Sequence, residues 1–216
     1  MKNKLYYQFA GSCSLLLFAF LSYVVKFYPS WFQSFDSFFA TLLYEMRPHL
    51  NGFFLWITQF ANPVPLTILV VAVLVVLLYG KQYTEAIWLS MGVIGISGIL
   101  NPLFKLFFMR ERPALEHLVS EHSLSFPSGH AAASMVFYGS LILLVPIFIE
   151  AKALRWLAQA ILVFLVLAIG FSRVYLGVHF PTDIIGGYTL SLSWLLLTFP
   201  IYQEQRFIWR FKNKQH

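Results

Sequence analysis

Along this chain, apolar residues run in long blocks, and polar residues gather mainly at the block ends. Six blocks read as membrane-crossing helices: 5–25, 53–79, 86–104, 130–149, 157–172 and 184–202. A bilayer core of ~30 Å takes about 20 helical residues to cross. The segment 30–46, "SWFQSFDSFFATLLYEM", is too short and too polar to span. It predicts an amphipathic helix lying at the interface between the first and second spans. Asn62-Pro63-Val64-Pro65 predicts a kink or a start in the second span. No long polar segment, linker or repeat remains. The expected architecture is therefore an all-α bundle of six transmembrane helices plus one interfacial helix, forming a single domain over residues 1–216.

Composition strengthens that picture. Of 216 residues, 59% are hydrophobic, 19% aromatic and 11% charged, against about 25% charged in soluble domains. The single cysteine, Cys13, excludes an internal disulfide. "AGSC" faintly resembles a lipidation site, but Cys13 precedes its apolar run instead of following it. The first span lacks a small-residue cleavage site near Tyr28-Pro29 and is expected to be retained. With the N-terminus cytoplasmic, the inner side holds Lys2, Lys4, Lys81, Lys152, Arg155, Arg206, Arg210, Lys212 and Lys214. The outer side holds Lys26, Arg47, Lys105, Arg110, Arg112 and Arg173. This bias places both termini in the cytoplasm. It also accounts for much of the net charge of +6 without nucleic acid.

Three polar clusters change the picture from a membrane bundle to a chemical site. They are "KLFFMRERP" (Lys105, Arg112, Pro113), "PSGH" (Pro127 to His130) and "SRVYLGVHFPTD" (Ser172, Arg173, His179, Asp183). Each has a plainer reading alone: snorkelling cations, a helix cap, a local capping pair beside Pro181. Topology, however, brings all three to one face of an alternating bundle, the extracytoplasmic one by the charge count. Ionisable groups gathered at membrane depth mark function. The set suits phosphate. Lys105, Arg112 and Arg173 supply cations, two of them with bidentate forks. Ser128 and Gly129 offer backbone N–H groups at a helix start, where an anion is favoured. Two histidines divide attack and protonation. Asp183 can accept from Nδ1–H of His179 and leave Nε2 free.

These three motifs, K-x6-RP, PSGH and SR-x5-H-x3-D, resemble the signatures of the type 2 phosphatidic acid phosphatase superfamily at every position. The resemblance implies a metal-independent membrane phosphatase without a cofactor. It implies His179 as a nucleophile forming a phosphohistidine, Asp183 orienting it and His130 as general acid. It implies Lys105, Arg112, Ser128, Gly129 and Arg173 as the phosphate binders. Ser172 carries no assigned chemistry. One carboxylate is a poor magnesium site. His117 and His122, with Glu116 and Glu121, lack a zinc spacing and read as solvated loop residues. His49 and His216 have no evident partners.

The expected partners are a phosphorylated membrane lipid and the bilayer. A transporter would need polar residues through the inner halves of the spans, which are nearly bare of charge. A scaffold would need neither histidine. Transfer to a second lipid differs from hydrolysis only in what attacks the intermediate. Among substrates, undecaprenyl diphosphate is favoured on two grounds. Arg110 would add a fourth cation for the extra charge, and an outward-facing site would meet that lipid directly. Phosphatidylglycerophosphate and phosphatidic acid are the alternatives.

Overall fold

The computed structural model describes residues 3–212, 214 and 215; Lys2 and His216 lie outside the described residues. Among the described residues, nine α-helices follow in order: α1 (Lys4–Phe27), α2 (Gln33–Tyr44), α3 (Asn51–Ile57), α4 (Pro63–Tyr79), α5 (Tyr83–Val93), α6 (Asn101–Phe108), α7 (Gly129–Phe148), α8 (Lys152–Tyr175) and α9 (Pro181–Phe211). No strand occurs among the described residues. Five stretches are long and apolar enough to cross a membrane: α1, Tyr83–Phe108, α7, α8 and α9. A sixth is added if Asn51–Ala61 and Pro63–Tyr79 count as one span broken by 52°.

That break falls at Asn62-Pro63, where the sequence predicts a kink or a helix start within 53–79. Asn62 is extended (φ −64°, ψ 144°), and Pro63 opens α4. A residue before proline is pushed out of helical geometry, so the chain must turn there. Tyr83–Phe108 holds together differently. Its middle, Ile94–Leu100, widens to a π-helix ahead of Pro102, which has no N–H to give the ladder.

The helices wear their apolar residues outward as well as inward. On α4, Val64, Ile68, Val71 and Val75 form one exposed stripe at helical spacing. This is the mark of a surface meant for lipid. On α2 the pattern is inverted relative to a soluble helix: Phe35, Phe38, Phe39 and Leu42 are exposed, and the buried residue is Asp36.

Small residues set the packing that matters for the site. Helix α9 lies against both α1 and α7. A Cβ on Gly187 would stand 2.7 Å from Ser128 O and 2.9 Å from Ala132 N. Only glycine lets the starts of α7 and α9 touch. Ser191 Oγ then donates to Ala132 O at 2.8 Å, and Ser128 N–H to Asp183 O at 3.0 Å. Helices packed through small residues are common where lipid supplies no hydrophobic drive between them. Here that contact brings "PSGH" against "HFPTD".

Candidate active site

The polar clusters meet at one end of the bundle, where α6 and α8 end and α7 and α9 begin. Helix α8 closes at Tyr175, and the chain reverses at Gly177, whose φ of +83° is left-handed. A Cβ there would also lie 2.7 Å from Glu116 O. The turn delivers His179, 2% exposed, just ahead of the Phe180 cap of α9.

Asp183 sits one turn into α9 and is fully buried. Its Oδ2 accepts from Phe180 N at 2.9 Å, from His179 Nδ1 at 3.2 Å and from the Ser125 hydroxyl. Its Oδ1 accepts from Arg110 Nη1 at 2.6 Å. With Nδ1–H given to Asp183, the His179 lone pair is on Nε2, which lies 3.3 Å from Arg112 Nη1. Burial pulls the His179 imidazole from its ordinary 6.5 down to about 3, so the ring is neutral near pH 7 and the Asp183 contact is a hydrogen bond from a neutral donor.

Three predicted cations lie at this end of the bundle, Arg112 against this nitrogen. Arg112 is fixed by Val178 O at 2.6 Å and Ser123 O at 2.6 Å. Lys105 donates to Ser123 Oγ at 3.1 Å and to Leu124 O. Arg173 is 1% exposed and donates to Thr58 Oγ1 at 2.8 Å and to Glu121. Its Nε is buried and meets no acceptor among the described residues. An orphan guanidinium donor of this kind calls for an anion. At the mouth of α7 the Ser128 side chain caps Ala131 N, and the N–H groups of Gly129 and His130 meet no acceptor from the protein.

His130 Nε2 lies 2.6 Å from Asn62 Oδ1. The amide orientation follows from its other end: Asn62 Nδ2 donates to Gln59 Oε1 at 2.6 Å, and Gln59 Nε2 donates to Leu55 O at 3.3 Å. His130 therefore donates from Nε2, and Nδ1 is the nitrogen left for chemistry. The bend before Pro63 is what puts Asn62 here.

Three expectations need correction. Arg110 is no fourth phosphate cation: its fork is spent on Asp36 at 2.8 Å and Asp183 at 2.6 Å, with the Phe180 ring 4.1 Å away. The backbone N–H of Ser128 is already given to Asp183 O, so the helix mouth offers Gly129 and His130 instead. Glu121 is not a solvated loop residue, because it bridges Arg112 and Arg173. The other two outer cations also have work in the protein. Lys26 donates to the last carbonyls of α6, Phe107 at 3.0 Å and Phe108 at 3.3 Å, and Arg47 donates to Tyr175 O at the end of α8. His117 and His122 are exposed, as expected for loop residues. Ser172 Oγ donates within its own helix to Ile169 O. Gln59, Ser125 and Asp36 are neighbours of this cluster that the sequence did not single out, and Asn62 and Glu121 stood out there only as part of a kink and of a loop.

Comparison with known proteins follows the same lines. Residues 86–207 match the model of the PAP2 superfamily. Phosphatidylglycerophosphatase B of Bacillus subtilis is 34% identical over 173 residues, 78% of this chain and 81% of that protein. Undecaprenyl-diphosphatase BcrC of the same organism is 28% identical over 151 residues, 66% of this chain and 70% of that one. The crystal structure of a transmembrane PAP2-type phosphatidylglycerolphosphate phosphatase from Bacillus subtilis superposes with a TM-score of 0.80 at 27% identity, covering 91% of this chain and 97% of that one.

Proposed function

The chain belongs to the PAP2 superfamily and is a hydrolase of lipid phosphates, and on that premise we propose that it removes a monoester phosphate from a glycerolipid headgroup through a phosphohistidine at His179. The observation that carries this reading is His179 Nε2 at 3.3 Å from Arg112 Nη1, together with the Nε of buried Arg173, which has no hydrogen-bond partner among the described residues. The phosphate oxygens are bound by Lys105, Arg112, Arg173 and the N–H groups of Gly129 and His130, with Ser128 shaping the turn. Nε2 attacks phosphorus, the N–P bond forms and the bond to the lipid oxygen breaks. That oxygen takes a proton from Nδ1 of His130. In the second step His130 Nδ1 accepts a proton from water, whose oxygen displaces His179 and releases inorganic phosphate. Placing the positive charge on equatorial oxygens is the main work of such a site, and no step calls for a metal.

Six spans, with the broken pair counted as one and the aromatic face of α2 laid in the interface, fit this role. The site then opens on the extracytoplasmic side by the distribution of basic residues. The substrate follows from the corrected charge count. With Arg110 committed to carboxylates, three cations remain, which suits one phosphate better than two. The greater identity to phosphatidylglycerophosphatase B agrees. Undecaprenyl diphosphate stands as a second reading, supported by the likeness to BcrC. Purified protein in mixed micelles, treated with EDTA, should release phosphate from both lipids. Its kcat/KM should be about tenfold higher for phosphatidylglycerophosphate, or about 1.4 kcal/mol in transition-state binding. The reverse order would favour the diphosphate, and dependence on added magnesium would overturn the metal-free site.

The Asn62 contact gives the general acid its own test. Without an acceptor on Nε2, the doubly protonated ring that delivers the proton from Nδ1 loses its support. Asn62→Ala should slow lipid substrates about 30-fold, and p-nitrophenyl phosphate, whose leaving group needs little protonation, less than about threefold. Equal losses on the two substrates would remove Asn62 from the acid's support.

A further inference from the structure

Arg110 and Asp36 form a buried assembly that the chemistry above does not use. Asp36, on α2, has a side chain only 5% exposed. Its Oδ1 accepts the backbone N–H of Thr182 at 2.9 Å, and its Oδ2 accepts the Thr182 hydroxyl at 2.8 Å and Arg110 Nη2 at 2.8 Å. It thus caps the start of α9 from another helix. The other arm of Arg110, Nη1, donates to Asp183 Oδ1 at 2.6 Å and to Thr182 Oγ1 at 2.8 Å. The remaining oxygen of Asp183, Oδ2, is the one that holds His179.

A guanidinium left beside a single carboxylate prefers to chelate both of its oxygens through a fork. Here that would take Oδ2 of Asp183 away from His179 Nδ1 and release the tautomer. Asp36 prevents it by holding Nη2 from the far side, so that Arg110 reaches Asp183 through one nitrogen and one oxygen. A buried carboxylate serving only to attach α2 would be an expensive choice, because an apolar side chain avoids its desolvation. We propose that Asp36 is a positioning residue for the nucleophile: by restraining Arg110 it keeps Asp183 Oδ2 on His179, and so makes α2 part of the catalytic apparatus.

This inference rests on the hydrolase reading, and the test separates the two. Steady-state kinetics are measured on phosphatidylglycerophosphate and on p-nitrophenyl phosphate. A wild-type protein active on neither sinks the hydrolase reading, while activity on either one supports it and permits the comparison. Asp36→Asn should lower kcat about 100-fold with KM within about threefold, because the phosphate ligands are untouched. Arg110→Gln should cost only about tenfold. The double variant should recover to the level of Arg110→Gln alone, since the fork that captures Asp183 is gone. A latch that merely holds α2 in place would give no such recovery. A kcat for Asp36→Asn within about threefold of wild type, or a double variant no faster than Asp36→Asn, overturns the proposal. If Asp36→Asn gives no folded protein, Asp36→Glu, which keeps the charge on a longer arm, takes its place in the same comparison. Failure of both to fold makes Asp36 a folding residue and also overturns it.

Discussion

His179→Ala is expected to abolish turnover and, with it, covalent labelling of the protein by a radiolabelled substrate phosphate. The loss in kcat should be at least ~10⁴-fold, because the nucleophile and its oriented partner act as a unit. No other group in the site is placed to substitute. His130 has its Nε2 against Asn62 and its Nδ1 assigned to the leaving oxygen, and the Ser125 hydroxyl is given to Asp183. The label on the wild-type protein should be acid-labile and base-stable, as for a phosphorus–nitrogen bond. Label retained on His179→Ala would move the nucleophile elsewhere.

Asp183→Asn is expected to cost about 10³–10⁴-fold in kcat with little change in KM. The reason lies in two opposing demands on one side chain. His179 Nδ1 at 3.2 Å and Arg110 Nη1 at 2.6 Å are both donors, one to each oxygen. An asparagine has one acceptor oxygen and one donor nitrogen. If its oxygen faces His179, its amide meets the guanidinium donor to donor. If its oxygen faces Arg110, its amide donates to Nδ1, shifts the imidazole proton to Nε2 and blocks the attacking lone pair. The phosphate ligands are not touched in either case, so substrate binding should persist. A variant retaining a tenth or more of wild-type kcat would show that the tautomer is set by something other than Asp183.

The helices and the three motifs were legible in the sequence because both depend on local spacing. Apolar blocks mark spans wherever they fall, and His179 and Asp183 are four residues apart on the way into one helix. The end of the bundle shared by Lys105, His130, Arg173 and His179 followed from alternation alone. What was not legible depends on long-range approach. Asn62 and His130 are 68 residues apart, Arg173 and Glu121 52, and Arg110 and Asp36 74. Each of these partners is a single polar residue with no periodic signal. Arg110 was read by its charge as a phosphate ligand, yet its surroundings made it a carboxylate brace. Glu121 was read as solvated because its loop is polar, although it pairs with two arginines. One signal was available and underused. An aspartate set among aromatic residues, as in "SFDSFF", requires a partner if the aromatic residues face outward, and that partner identifies what the helix is fastened to.

The break ahead of Pro63 and the carboxylate on α2 have one thing in common: both precede residue 86, where the match to the family model begins. Every motif residue lies within that stretch, and the side chains that steady the two histidines from outside, Asn62 and Asp36, lie before it. Part of the adjustment thereby lies apart from the reaction, while Arg110, Glu121 and Ser125 stand beside it. Exchange of residues 1–85 between relatives would leave the phosphate ligands intact while replacing one support of each proton-handling group. Working pH would thus be open to change from one region while the reacting groups of the other stay the same.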